Sequence, residues 1–112
     1  MMQVVFVVLH KTELLQDLLT KLKNAGVSGG TIIDSQGMIS YIQESDESYI
    51  LGSLRLFLEQ ARPDSKTMFF IIKDEQVDLV FETIDKALGG LENHNTGIAF
   101  AMPITRVEGV VK

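Results

Sequence analysis

Three short segments of the chain carry apolar side chains at nearly every position, and this feature constrains the fold most. They are Gln3–Leu9, Lys66–Lys73 and Gly97–Ile104. Each is too short for a buried helix and is rich in β-branched or aromatic residues, so each is predicted to be a β-strand. Because successive side chains of a strand point to opposite faces of a sheet, these strands are apolar on both faces.

Two amphipathic helices and one further strand complete the predicted elements. The first helix begins at Thr12 as N-cap, and Asp74 caps the second. A strand is predicted at about Gly30–Ser35, before a long loop. The order β, α, β, loop, β, α, β predicts an α+β ferredoxin-like βαββαβ sandwich, and the length of 112 residues predicts one domain spanning 1–112.

The two helices can cover only one face of a four-stranded sheet. Leaving the other apolar face in water forfeits about 25 cal/mol per Å² of apolar surface, so a second copy of the chain is expected to cover it. The periodicity predicts an oligomer without giving the number of subunits.

The composition excludes several classes of protein. With no cysteine, the chain has no disulfide and no thiolate metal site, which fits the cytoplasm. Fifteen acidic residues against ten basic ones, without a basic cluster, argue against a nucleic-acid partner. The apolar run Val4–Leu9 is far shorter than the ~20 residues that span a bilayer, so no membrane insertion is expected.

The segment from Gly37 to Ser65 is 29 residues long and is predicted to carry function, because loops of this length in compact domains are usually functional or disordered. It contains the acidic run Glu44–Glu47 and a helical pattern over Ser53–Arg62. The run is either a solvated tip or a site for a cation or basic partner, and the helix is either a packed flap or a docking element. The candidate partner contacts are Tyr41, Tyr49, Arg55 and Phe57.

No motif for catalysis is present. The two histidines, His10 and His94, lie in no triad or zinc-binding pattern, so no enzymatic activity is predicted. His94 is either a solvated loop residue or a ligand of a metal shared between subunits. The turn 89–97 either simply joins a helix to a strand or holds an anion on its backbone N–H groups.

Several motifs, in their order and spacing, resemble the nitrogen-regulatory PII family over nearly the whole chain outside residues 38–65. Gly26–Thr31 followed by Asp34–Gly37 resembles the second strand leading into the T-loop. Lys66–Ile72 with Asp74–Val77 resembles the third strand and second helix. Thr96–Ile104 resembles the end of the B-loop and the fourth strand.

The resemblance implies a homotrimer in signal transduction and nitrogen regulation. Its effector would bind in clefts between subunits, and its T-loop would dock onto a transporter or enzyme. Thr31, Gly37 and Gly97 match residues that line the family's adenine-nucleotide cleft. The candidate ligand-binding residues are Thr31, Gln36, Gly37, Asn95, Thr96, Gly97 and Arg106.

The chain departs from the family at the phosphate-binding positions. The B-loop lysine falls on Ile98, and the C-terminal arginine pair falls on Gly109 and Val111. Residues 38–51 do not reproduce the T-loop sequence with its modified tyrosine and its glutamine for 2-oxoglutarate. Each lost cation removes charge-assisted hydrogen bonds of about 1.5–3 kcal/mol. Three interpretations remain open. ATP could still bind if Arg106, Lys112 or Arg55 replaced the missing cations; otherwise the effector is smaller or less charged than ATP, or the chain binds no effector.

Two other readings share the topology. One is a structural or metal-binding trimer resembling CutA, without nucleotide sensing. The other is an acylphosphatase-like enzyme, which would need an arginine in the loop after the first strand, where this chain has His10-Lys11-Thr12.

Overall fold

The computed structural model describes residues 1–38, 64–92 and 96–110. Within these ranges the chain forms four strands and two helices. In chain order they are β1 (Met2–Leu9), α1 (Leu15–Asn24), β2 (Thr31–Ser35), β3 (Ser65–Lys73), α2 (Val77–Ala87) and β4 (Gly97–Ile104). A short 3-10 helix precedes each α-helix, at Thr12–Leu14 and at Asp74–Gln76.

The four strands form one antiparallel sheet in the order β2-β3-β1-β4. At its centre Phe6 is paired with Phe69 on one side and with Phe100 on the other, and Thr31 is paired with Phe69. Both helices lie on the same side of this sheet and contact each other. This arrangement confirms the predicted α+β ferredoxin-like fold.

The hydrophobic core lies between the sheet and the helices. Alternate residues of β1 and β3 face it, and the apolar stripes of α1 and α2 pack against them. Burial of this face follows from the helical spacing of the leucines and from the two-residue period of the strands. The central buried side chains are Val5, Val7, Leu9, Leu18, Leu22, Met68, Phe70, Ile72, Val80 and Ile84.

The structure corrects the predicted cap of the first helix. Thr12 lies inside the 3-10 turn, with Lys11 at the N-cap position, and no side chain caps this turn. The backbone N–H of Thr12 donates to the carbonyl of His10 at 3.0 Å. The tight turn that follows β1 therefore starts the helix through backbone hydrogen bonds, and the Thr12 hydroxyl has no capping role.

The prediction that Asp74 caps the second helix is also wrong. Asp74 is the first residue of the 3-10 turn, and its Oδ1 accepts a hydrogen bond from Gln3 Nε2 at 3.1 Å. Its other carboxylate oxygen lies 3.7 Å from the amino group of Met1. The cap is supplied by Gln76, whose Oε1 accepts from the backbone N–H of Lys73 at 2.9 Å. Asp74 instead joins the turn to the start of β1.

The face of the sheet opposite the helices is apolar and largely uncovered; we call it the open face. On this face, side chains in neighbouring strands lie side by side in rows that run from β4 through β1 to β3. Where β2 pairs with β3, from Ser65 to Phe69, the rows continue onto β2. Ile98, Phe100, Met102 and Ile33 remain 54%, 42%, 45% and 48% exposed. The predicted second apolar face therefore exists. Its members are Val4, Phe6, Val8, Ile33, Phe69, Ile71, Ile98, Phe100 and Met102.

Candidate functional site

One end of the sheet collects the loops that the sequence marks as functional. β1 and β2 end there, at Leu9 and Ser35, and β3 and β4 begin there, at Ser65 and Gly97. Leu9 is paired with both Lys66 and Gly97, which brings these termini together. We call this region the loop end of the sheet; it comprises His10, Lys11, Ser35, Gln36, Gly37, Ser65, Lys66, Thr96 and Gly97.

Three hydroxyl groups join the two strands that flank the long segment 36–64. Ser35 Oγ lies 2.7 Å from Ser65 Oγ and 2.7 Å from Thr67 Oγ1. Ser65 is buried, with 3% of its surface exposed, and Ser35 and Thr67 are half-buried, so these contacts are partly shielded from water. Lys66 Nζ also donates to the Asp34 carboxylate across the same two strands. These bonds hold both ends of the long segment at one place.

Thr96 and Gly97 fix the start of β4 against the end of β1. The carbonyl of Thr96 accepts hydrogen bonds from the backbone N–H groups of His10 at 3.1 Å and Lys11 at 3.4 Å. A Cβ on Gly97 would lie 2.7 Å from the carbonyl oxygen of Val8, closer than real contacts allow. Glycine is therefore required at position 97 by the close approach of two strands, whatever its part in ligand binding.

The side chain of Thr96 is fully buried, yet its Oγ1 has no hydrogen-bond partner among the residues that the structure describes. Buried hydroxyls are normally paired, because leaving one unpaired costs about 1–3 kcal/mol. Thr96 is one of the predicted ligand-binding residues, and its hydroxyl is inaccessible to solvent in a single copy of the chain.

The predicted ligand-binding residues do not converge within one chain. Gln36, Gly37, Thr96 and Gly97 lie at the loop end. Thr31 lies at mid-sheet, beside Phe69. Arg106 follows β4 at the opposite end, where Ile104 is paired with Met2.

Other predicted residues fall outside the described ranges. They include the candidate ligand-binding residue Asn95, the candidate metal ligand His94 and the predicted helix 53–62. They also include the candidate partner contacts Tyr41, Tyr49, Arg55 and Phe57.

Thr31 lines a cleft at the outer edge of β3. β2 pairs with β3 only from Ser65 to Phe69, although β3 continues to Lys73. Beyond Phe69, the segment before β2 and the chain after β4 flank the edge that β2 leaves, and together they line an open cavity of about 380 Å³. We call it the edge cleft; its lining residues are Ser28, Gly29, Gly30, Thr31, Phe69, Phe70, Ile71, Gly109 and Val110.

A second cavity of about 330 Å³ adjoins the edge cleft and shares Ser28, Ile71, Gly109 and Val110 with it. Lys73 and Gln76 line this neighbouring cavity and not the edge cleft. The resemblance pointed to Thr31 and matched Gly109 to a phosphate-binding position of the family, but it did not point to Val110. The signal available for the cleft was the Gly29-Gly30 pair directly before a strand.

Most cations in the described part of the chain are already paired with carboxylates. Arg106 contacts Glu108 at 3.1 Å, Lys21 contacts Asp17 at 2.9 Å, and Lys66 is paired with Asp34. Lys86 Nζ donates to Glu82 Oε1 at 2.8 Å, and this hydrogen bond, followed by the charge of Lys86, lowers the pKa of Glu82 below its ordinary 4.5. The same pair raises the pKa of Lys86 above 10.5.

Two features are absent from the described residues. No group of three or more His, Asp or Glu side chains is placed to hold a metal ion in residues 1–38, 64–92 and 96–110. Within the same ranges, no helix is long and apolar enough to cross a bilayer.

Comparison with known proteins gives a structural match. No protein-family model and no curated protein matches the sequence. Among solved structures, the crystal structure of Arabidopsis thaliana PII bound to citrate is similar, with a TM-score of 0.65. The match covers 92% of this chain and 77% of that chain. The chain has a PII-like fold. Because the two sequences are only 18% identical, this similarity establishes the fold alone. It does not establish an effector or a partner for this chain.

Proposed function

We propose that this chain is a cytoplasmic PII-like regulatory protein without catalytic activity. It assembles as a homotrimer, senses a small-molecule effector in clefts between subunits, and binds a partner transporter or enzyme through residues 37–65. Support comes from the PII-like fold, the open face, the edge cleft and the attachment of the long segment to β2.

The observation that carries the proposal is the position of two residues on one short strand. Thr31 lines the edge cleft, and Ser35, four residues later, holds the base of segment 36–64 through its hydroxyl contacts. A ligand that shifts β2 at Thr31 therefore acts on the base of the long segment. If the ligand binds one arrangement of β2 more tightly than another, it shifts the population of segment conformations that a partner encounters.

The open face supports assembly. Phe100, Met102 and Ile98 are each more than two-fifths exposed on a continuous apolar surface. Burying such a surface yields about 25 cal/mol per Å². We expect a homotrimer in which the open faces meet to bring the predicted ligand-binding residues of neighbouring subunits together, since one chain keeps them apart.

The proposal is tested first by sedimentation equilibrium on the purified protein, for which a trimer is expected and a stable monomer overturns the assembly. Calorimetric titration with ATP, ADP, AMP and 2-oxoglutarate then tests sensing. Heat of binding from at least one of these ligands is expected, and a flat response to all four removes nucleotide sensing. Partner binding is tested with a variant in which a short glycine-serine linker replaces residues 39–63. Mass spectrometry should identify a protein that co-purifies with the wild type and not with this variant.

Nothing in the described residues specifically supports the metal-binding alternative that resembles CutA. His10 lies at the loop end without two further ligating side chains beside it in the described residues. Stability that depends strongly on a divalent metal, and that is lost on changing His10 or His94, would favour this alternative.

A further inference from the structure

We infer that the chain carries a second ligand site, a groove beside α1 that takes a short aliphatic chain ending in one carboxylate. We call it the helix groove; its side-chain walls come from Leu19, Leu22, Lys23, Val27, Ile32 and Met68. The groove has a volume of about 220 Å³ and adjoins the edge cleft, with which it shares residues 28–31. These walls belong to one chain, so the inference goes beyond the proposed function and does not depend on assembly.

The helix groove exists because α1 leaves the helix side of β2 partly uncovered. Ile32 is paired with Met68, a core residue, so the Ile32 side chain lies on the helix side of the sheet. Ile32 is nevertheless 46% exposed. Gly29 and Gly30 precede β2, and a Cβ on Gly29 would have no atom within 4 Å. The space between the end of α1 and the edge strand is therefore open to a ligand.

Aliphatic side chains supply most of the walls of the helix groove. Leu22 and Met68 are 3% and 2% exposed, so packing in the core holds them in place. A cavity of about 150 Å³ with a comparable apolar lining stays dry and binds benzene. At about 220 Å³ the helix groove has room for a chain of about six carbons. Each methylene group of such a chain contributes to affinity, because it leaves water.

Among the described residues that line the helix groove, Lys23 alone has a charged side chain. It lies in the last turn of α1 and is exposed. Lys21 in the same turn is paired with Asp17, whereas Lys23 is in no ion pair within residues 1–38, 64–92 and 96–110. An ammonium group beside an aliphatic groove complements an anion that carries an apolar tail.

The connection between α1 and β2 adds uncharged donors to the same groove. The hydroxyl of Ser28 and the backbone N–H groups of Ser28 and Gly29 have no hydrogen-bond partner in the part of the chain that the structure describes. They can donate to a carboxylate oxygen that Lys23 holds. A second carboxylate, at the far end of the ligand, would have to leave water for the aliphatic walls without a partner. The lining therefore favours one carboxylate over two.

The test is NMR titration of the full-length, methyl-labelled protein with hexanoate, 1-hexanol and hexanedioate. We expect hexanoate to shift the methyl signals of Leu19, Leu22 and Ile32. 1-Hexanol lacks the charge that Lys23 pairs with, and hexanedioate carries a second charge. Each is expected to bind at least threefold more weakly than hexanoate. A smaller difference for either probe, or the absence of shifts with hexanoate, overturns the inference.

A charge variant tests the part played by Lys23. Lys23→Met keeps a long apolar stem and removes the ammonium group, so its affinity for hexanoate is expected to fall at least threefold while its affinity for 1-hexanol stays unchanged. Lys21→Met makes the same substitution in the same turn, at a residue that does not line the groove, and is expected to bind hexanoate as the wild type does. Equal affinity of the two variants for hexanoate overturns the inference.

A second pair of variants places the ligand on the helix side of β2. Ile32→Glu puts an anion in the wall of the groove and is expected to lose at least tenfold in hexanoate affinity. Ile33→Glu is the matched control, because Ile33 is 48% exposed on the open face of the same strand. It is expected to bind hexanoate normally, whatever its oligomeric state. Equal binding by both variants overturns the assignment to this groove.

The outcomes separate this inference from the proposed function. A stable monomer that binds hexanoate overturns the proposed function and supports the helix groove, whereas a trimer that binds none of the three probes does the reverse. The variant with a linker in place of residues 39–63 tests whether the chain fills its own groove. We expect this variant and the wild type to bind hexanoate equally. Binding by the linker variant alone overturns the inference.

Discussion

Phe6 stacks on Phe100 across the β1–β4 pair, with ring centroids 5.2 Å apart and ring planes inclined by 13°. Phe69 lies on the other side of Phe6, with the centroids of these two rings 5.6 Å apart. The three rings therefore form a row across the centre of the open face. Aromatic pairs at such distances contribute about 0.5–1.5 kcal/mol beyond their buried area. This row lies within the open face that the proposed assembly would cover.

Phe6→Ala is therefore expected to weaken assembly. It removes the ring that both neighbours contact, and replacing a buried phenylalanine by alanine costs about 3–5 kcal/mol. Sedimentation equilibrium should show dissociation at concentrations where the wild type remains associated. Leu79→Ala, at a 51% exposed position on α2, is the matched control and should leave the mass unchanged. Unchanged association of Phe6→Ala would show that the open face is not the interface.

Gly97→Ala is expected to destabilise the fold by about 1–3 kcal/mol, the usual cost of forcing extra volume into a packed site. The new Cβ would lie 2.7 Å from the Val8 carbonyl oxygen, so β4 must move away from β1. Gly37→Ala adds the same methyl group where no atom lies within 4 Å, and its stability should be close to that of the wild type. Urea unfolding of the three proteins measures the difference, and equal midpoints for both variants would contradict the steric role of Gly97.

Thr96→Val is expected to stabilise the protein by about 1 kcal/mol, because it replaces a buried hydroxyl that has no partner in residues 1–38, 64–92 and 96–110 with a methyl group of similar shape. Thermal and urea unfolding measure the effect. Thr96→Ser, which keeps the hydroxyl and removes the methyl group, should instead lower stability. A loss of stability in the valine variant would show that the hydroxyl has a partner in the assembled protein.

The ion pair between Glu82 and Lys86 predicts a pH dependence. The pKa of Glu82 is lowered in the folded state, so its stabilisation is present above the ordinary 4.5 and is lost as the pH falls through the lowered folded value. The pKa of Lys86 is raised, so its stabilisation is present below 10.5 and is lost as the pH rises through the raised folded value. Between these limits the pair contributes fully.

The expected difference between wild type and Glu82→Gln is small, because both side chains are exposed. It should be measurable by urea unfolding near neutral pH, should shrink in high salt, and should vanish well below pH 4.5. Glu92→Gln, at an exposed position outside α2, is the control for a general effect of charge. A difference that persists at acid pH would contradict the ion-pair explanation.

The elements of the fold could be predicted because each depends on local patterns. β4 was predicted with its observed bounds, Gly97–Ile104, since its apolar residues and flanking glycine are contiguous. The caps could not be predicted in the same way. Asp74 accepts its hydrogen bond from Gln3, 71 positions away in sequence, and no local pattern shows such a competitor for a capping side chain.

The candidate site was only partly predictable for a related reason. Thr31 came from a resemblance to known sequences, and the structure places it in the edge cleft. Gly109 and Val110 also line that cleft. The resemblance had matched Gly109 to a phosphate-binding position, but no local pattern around Val110 shows that the chain after β4 returns to β3. Gly97 was predicted from the same resemblance as a cleft residue, whereas the structure gives it a steric role.

The contact between Ser35 and Ser65 bears on how a scaffold of this kind diversifies. Two serine hydroxyls 2.7 Å apart mark the points where the chain leaves the sheet and returns to it. Closing a longer loop between fixed ends costs only about 0.6 kcal/mol for each doubling of its length. A change in the number of residues between these serines therefore costs little loop-closure entropy, and recognition of new partners can evolve there while the sheet stays as it is.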